Sequence, residues 1–264
     1  MTDTDLDVAS WAQAFIDQNM SGADFRAPWT ETPSLEQAYA VQDRVFDGLA
    51  PARGDVGGYK VAVTAKPMQD AMGLTAPLGG LIHGGQVRET GCALSASAFH
   101  SPALEFEVTV RLGRDVPLAD VAYDRTTIEP FVAEVMASYE VVDPRGAELA
   151  AVGAVGLVAD RCLSEGAVLG PPCTDWSELD LSSCAVEVIR NGEVTDEGVT
   201  GAAMGHPFEG LAWVANHMGA RGRILTAGQV VLTGSAFAPM PVIAGDEVTY
   251  RIAGLGEVSV SITD

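Results

Sequence analysis

The sequence predicts an α+β fold on three observations. Helical spacing is confined largely to the first 50 residues, strand signals dominate the rest of the chain, and strands and helices do not alternate regularly. With 264 residues the chain is long enough to bury a large core, and no internal repeat is apparent. Hydrophobic residues make up 47% of the chain and charged residues 19%, which excludes a disordered, charge-driven polymer.

In chain order, the first element is a helix. Val8, Trp11, Phe15 and Ile16 recur at helical spacing, and Ser34-Leu-Glu-Gln37 reads as a capping box opening a second helix. The apolar face of that helix is Leu35, Ala38, Tyr39, Val45 and Phe46, and Pro51-Ala-Arg-Gly-Asp55 breaks the pattern. The expected division is therefore a helical region over 1–52 and a β-rich domain over 53–264. Tyr59 to Thr64 predicts a short buried strand, and the glycine- and proline-rich run from Gly73 to Gly85 predicts a mobile, lid-like loop. Residues 103–112 alternate, with Leu104, Phe106, Val108, Val110 and Leu112 on one face. Residues 127–137 predict a helix with Ile128, Phe131, Val132, Val135 and Met136 inward, and Glu140 to Val142 begin another strand. Leu181 to Val188 with Asn191-Gly192 beyond it predicts a hairpin. Pro207 opens a helix through Phe208, Leu211, Val214, Ala215 and Met218 that stops at Gly219. Strands over Gln229–Leu232, Glu247–Ile252 and Gly256–Ile262 complete the chain.

Charge narrows the partners. Fifteen basic against 36 acidic residues give a net charge of −21, a field that repels phosphate backbones, so nucleic acid is not an expected partner. An anionic substrate would need a local cation to reverse that sign inside its pocket. The apolar stretch around Val152 to Ala159 is too short to span a membrane, and the acidic start is unlike a secretory signal; a cytoplasmic protein without a membrane partner is expected. Cys92, Cys162, Cys173 and Cys184 form no Cys-x-x-Cys clamp and read as reduced core residues. Only two of the basic residues are lysines, Lys60 and Lys66. Lysine, unlike arginine, can exchange a proton near neutral pH when its surroundings are tuned.

Three glutamates carry most of the information. Glu105 and Glu107 lie two apart on a predicted strand and point the same way; Glu140 arrives from a later segment. Together they would make a hard oxygen site of the kind Mg²⁺ or Mn²⁺ prefers. Thr109 and Arg111 continue the same face, so by periodicity alone Glu105 and Glu107 read first as the ordinary solvated side of a half-buried strand. Glu140 sits beside Val141-Val142, where an unpaired carboxylate would be costly.

Ordered motifs add a resemblance. Gly58-Tyr-Lys-Val-Ala-Val-Thr64, Leu104-Glu-Phe-Glu107, Tyr139-Glu-Val-Val-Asp-Pro-Arg145, Val158-Ala-Asp160, Met204-Gly-His-Pro207, Ala212-Trp-Val-Ala-Asn216 and Ala227-Gly-Gln-Val-Val-Leu-Thr-Gly-Ser235 resemble, in order, the fumarylacetoacetate hydrolase superfamily. The branch of 2-oxopent-4-enoate hydratases and 4-oxalocrotonate decarboxylases is the most similar, and the match, which includes Ala38-Tyr-Ala-Val-Gln42, covers nearly the whole chain.

That resemblance implies a mixed β-roll core with a small helical N-terminal region, and Mg²⁺ or Mn²⁺ held by Glu105, Glu107 and Glu140. It implies an enzyme acting on a small unsaturated 2-oxo acid through a metal-stabilised enolate or dienolate, with Lys60 moving a proton to or from the carbon skeleton. The metal would lower the pKa of Lys60. Tyr59, Leu78, Gly234 and Ser235 would contact the substrate, and the protein would be a homo-oligomer. A hydratase is the leading expectation and a decarboxylase the near alternative. A carbon–carbon hydrolase using His83, or a catalytically weakened binding or assembly subunit, are further ones. Leu78 stands where many hydratases carry an aspartate thought to help activate water. Pro144 replaces a usual serine, and Arg161 with Cys162 replaces Asn-Ala.

Overall fold

The computed structural model describes residues 3–264. Two helices, α1 (Asp3–Ser21) and α2 (Leu35–Arg53), lead into β1 (Val56–Ala62), α3 (Lys66–Ala71), β2 (Leu78–His83), β3 (Val87–Glu89), β4 (Cys92–Ser95) and β5 (Ala103–Leu112). Then come α4 (Arg125–Ile128), β6 (Val132–Val142), α5 (Leu149–Ala159), β7 (Ser164–Leu169), β8 (Ala185–Arg190), β9 (Glu193–Val199) and α6 (Pro207–Ala220). Four strands finish the chain: β10 (Val230–Ser235), β11 (Met240–Pro241), β12 (Glu247–Ile252) and β13 (Gly256–Thr263).

The strands form two sheets. One has eight strands in the order β2-β1-β10-β5-β6-β7-β3, with β11 paired to β5; the other has five in the order β4-β13-β12-β8-β9. Pairing is mixed: β1 runs parallel to β10 and antiparallel to β2. Between the sheets Phe106, Tyr139 and Tyr250 meet, Phe106 edge to face with each tyrosine, and the Tyr139 hydroxyl lies 3.0 Å from the carbonyls of Val248 and Val258. The expected α+β roll is what the chain forms.

Ser34 caps α2 in a full capping box, accepting from the Gln37 amide while the Gln37 side chain accepts from Ser34. The helix runs through Pro51 to Arg53, so the expected division after residue 52 falls within its last turn. The two helices share an apolar core with α5, in which Phe15, Val41, Val45 and Leu49 pack with Val158, Leu163 and Leu78. Buried Gln42 fastens this layer to the sheet by donating to the carbonyls of Gly79 (3.1 Å) and Val158 (2.8 Å).

Two expectations need correction. The helix expected over 127–137 exists only as α4 and one 3₁₀ turn containing Pro130, after which Val132 to Val142 is a strand. From Val135 onward that strand is buried on both faces, which erases the alternation that marks a half-exposed strand. The lid expected over Gly73–Gly85 contains β2, every residue of which is buried. Its glycines reflect crowding rather than mobility: a Cβ on Gly80 would come within 3.0 Å of Lys60 Cγ, and one on Gly79 within 2.7 Å of the His217 ring.

Candidate active site

Strand register assembles the acidic trio. β5 and β6 pair antiparallel with Glu105 opposite Glu140 and Glu107 opposite Ser138, and residues two apart on β5 share a face. One oxygen from each of Glu105, Glu107 and Glu140 lies within 4.8 Å of the others. The solvated-face alternative fails here, since Glu107 is 1% and Glu140 0% exposed; only Glu105 opens partly outward. Thr109, on the same face, is buried as well and bonds the Ser138 hydroxyl at 2.6 Å.

Lys60 reaches this trio from β1, although β10 and β5 lie between β1 and β6 in the sheet. Strong curling of the sheet is what brings Lys60 Nζ to 2.6 Å from Glu140 Oε2 and 3.8 Å from Glu105 Oε2. Gly234 completes the frame. Its amide donates to Glu107 Oε2 at 2.6 Å, and its φ of +110° with a would-be Cβ 2.8 Å from Thr64 Cγ2 admits only glycine.

The electrostatics are unbalanced. Burial pushes Glu140 up, Lys60 pulls it down and Glu105 pushes it up again, leaving its pKa at about 8. Burial and then the charges of Glu140 and Glu105 push Glu107 well above the ordinary carboxylate range. Burial would lower Lys60, but Glu140 and Glu105 outweigh it and hold the ammonium form. A cation among the carboxylates would cancel the pull that raises it. Glu107 Oε1 and Glu140 Oε1 have no hydrogen-bond partner. Three carboxylates facing one lysine, with orphaned buried oxygens, are the donor set a hard divalent cation takes.

Glu105 and Lys60 open into a cavity of about 460 Å³. Its walls come from β1 and the turn after it (Val61 to Ala65), α3 (Met68) and the adjoining Met72, Leu157 of α5, Cys162 and Leu163, and Ser235 to Pro239. The backbone is strained along this wall: Val63, Cys162 and Leu163 all sit at positive φ, between 55° and 63°. Such residues persist only where surroundings over-determine them. Arg161, also at positive φ, supplies the restraint by donating to Ser164 O at 2.7 Å and Glu165 Oε1 at 3.0 Å, and by bonding Asn19 Oδ1. Nothing in local periodicity signals this run.

The remaining expected site residues divide. Ser235 lines the cavity, its hydroxyl donating to Phe237 O at 2.8 Å and accepting from the Phe106 amide at 2.9 Å. Gly234 spends its amide on Glu107 rather than on a substrate. Tyr59, one residue before Lys60, points to the opposite face of β1 and packs in the main core. Leu78 is fully buried among the helices and does not line the cavity. His83 is equally buried, stacked on Phe46 at 3.8 Å with Nδ1 donating to Gly54 O; burial lowers its pKa to about 4. It is not positioned to activate water in the cavity. Of the unusual residues, Pro144 and Cys162 line the cavity, whereas the Arg161 guanidinium turns away toward α1.

Known proteins share this architecture. The chain is 32% identical over 234 residues to a 2-hydroxyhexa-2,4-dienoate hydratase of Comamonas testosteroni, covering 88% of this chain and 87% of the relative. It is 33% identical over 228 residues to 2-keto-4-pentenoate hydratase 1 of Dechloromonas aromatica, covering 85% and 84%. The 4-oxalocrotonate decarboxylase of Pseudomonas putida G7, solved with magnesium and adipate, superposes with a TM-score of 0.89 at 26% identity over 99% of both chains. These relatives are enzymes of the lyase type. Residues 61–263 match the fumarylacetoacetate (FAA) hydrolase C-terminal model, so the chain belongs to the fumarylacetoacetate hydrolase family.

Proposed function

We propose that the chain is a metal-dependent lyase of small unsaturated 2-oxo acids, acting as a 2-keto-4-pentenoate-type hydratase. The observation that carries this reading is the convergence of Glu105, Glu107 and Glu140 with Lys60, at the point where Lys60 and Glu105 open into one cavity. The three carboxylates would hold Mg²⁺ or Mn²⁺, and the bound cation would stabilise negative charge developing on the 2-oxo oxygen of the substrate. Buried Lys60 is placed to give a proton to, or take one from, the carbon skeleton of an acid lying between Glu105 and Ser235. Glu107, clamped by the Gly234 amide, keeps a fixed orientation while Glu105 faces the opening. Apolar side chains dominate the cavity walls around Lys60 and Glu105.

A decarboxylase is the second reading. It is favoured by the structural match to a 4-oxalocrotonate decarboxylase over the full length of both chains. The same proposal carries the expected cytoplasmic homo-oligomer, which cell fractionation and light scattering of the purified protein would check. Activity is tested by supplying 2-hydroxypenta-2,4-dienoate and 4-oxalocrotonate with Mg²⁺ and with chelator. Turnover should need the metal, and Lys60→Ala should lower kcat by roughly a hundredfold or more. Turnover indifferent to chelator, or unaffected by Lys60→Ala, would remove this mechanism; no turnover of any 2-oxo acid would leave a binding subunit instead.

A further inference from the structure

We infer that the substrate tail is apolar and uncharged, and that this chain discriminates against dicarboxylates. The inference rests on the reading of the cavity as a 2-oxo acid site and deepens it. Beyond the carboxylate floor the walls are built mainly from Met68, Met72, Leu157, Leu163, Ala202 and Phe237, all apolar. Among the described residues, Lys60 is the sole basic side chain lining the cavity, and it is committed to Glu140 at 2.6 Å.

The nearby cations are committed elsewhere. Arg145 lies 2.5 Å from Asp160 and donates to Ala23 O at 3.2 Å; its Nη1 has no partner among the described residues, but the residue does not line the cavity. Arg161 points into the helical layer and pairs with Glu165 at 3.0 Å. Lys66 is exposed and pairs with Asp70 at 2.6 Å. A second carboxylate at the far end of a substrate would therefore meet mainly apolar side chains and no basic partner, inside a protein whose net charge is −21. An unpaired anion in such surroundings is strongly disfavoured, whereas a methyl or longer alkyl end gains from the same walls.

Size points the same way. A volume of about 460 Å³ lies within the roughly 300–1,000 Å³ typical of pockets for drug-sized ligands, leaving room beyond a five-carbon acid. Two methionines stand on one wall, Met68 exposed and Met72 half-buried, and their flexible side chains can reshape around tails of different length. Tail selection then falls to α3 and the residues around it, while the floor fixes the 2-oxo acid head.

The experiment is calorimetric titration of the Mg²⁺-loaded protein with 2-oxohexanoate and 2-oxoadipate, saturated acids of equal length that differ in a terminal methyl or carboxylate. The monoacid should bind at least about tenfold more tightly. Equal affinities, or a preference for 2-oxoadipate, would overturn the tail assignment while leaving the 2-oxo acid site intact. Binding of neither acid would overturn the site reading itself, and the tail assignment with it. Lengthening the tail to 2-oxooctanoate should hold or improve affinity; a progressive loss would show that the tail lies elsewhere. Met68→Arg, at an exposed position that does not endanger folding, should narrow the preference by about tenfold by giving the second carboxylate a partner. An unchanged ratio would remove the tail from this wall.

Discussion

Two buried ionic clusters lie near each other in this molecule, and they are built on opposite terms. One joins Arg53, Arg145 and Arg161 to Asp160, Glu165 and Asn19, so that three cations face two anions through short hydrogen bonds. The other sets Lys60 against Glu105, Glu107 and Glu140, leaving a formal charge of 1 − 3 = −2 when every group is ionised. Glu165 and Glu140 are both buried, yet their pKa values move in opposite directions. For Glu165, burial pushes up but Arg161 and Arg53 outweigh it and leave it below its ordinary value. For Glu140, burial prevails and the value rises to about 8. Burial alone therefore does not mark a functional carboxylate. What marks it is a deficit that the protein does not fill itself, here equal to one divalent cation.

The largest expected effect breaks the unbalanced cluster. Glu107→Gln keeps the acceptor for the Gly234 amide but removes one ligand charge, and turnover with Mg²⁺ should fall by about a thousandfold. The metal-free variant should melt at a higher temperature than the parent, because a buried like charge is gone; a lower Tm would deny the imbalance. In the arginine-rich cluster the consequence is reversed. Asp160→Ala strands Arg145 without its anion, so denaturant unfolding should show a loss of about 3–5 kcal/mol, with no dependence on chelator.

Smaller, and graded, is the dependence on pH. A carboxylate raised above its unfolded value stabilises the fold at low pH, and that contribution is lost as pH rises through its folded value. For Glu140 that window runs from about 4.5 to about 8, and Glu107 shifts in the same direction. Metal-free protein should thus melt lower at pH 8 than at pH 6. Added Mg²⁺ should raise Tm more at pH 8, its affinity growing about tenfold per pH unit for each proton displaced. Glu165, already depressed, contributes no slope over this range. Calorimetry in buffers of different ionisation enthalpy would count the protons, and a count of zero would contradict the raised carboxylates.

Much of the molecule was legible from local signals. The capping box at Ser34, the alternating strand at 103–112, the Asn191-Gly192 turn and the helix from Pro207 depend on spacing and turn chemistry within a few residues, and each lies where expected. Local signals failed where both sides of an element are covered. β6 lost its alternation to burial, and β2 looked like a loop because close neighbours demand glycine at positions 79 and 80. The same limit governs the site. Glu105 and Glu107 could be named as a pair from strand geometry, but whether they faced water or metal depended on what covers β5.

By itself, then, the sequence determined the fold class, the elements with clear local signals and the identity of the four residues that meet where the cavity opens, since these come from periodicity, turn residues and an ordered motif set. Only the tertiary structure decided that Glu140 pairs with Glu105, that sheet curl carries Lys60 across two strands, that Tyr59, Leu78 and His83 face away, and that the cavity walls beyond Lys60 and Glu105 carry no charge. Those are relations between residues distant in the chain, set by strand register and packing, and no local pattern encodes them.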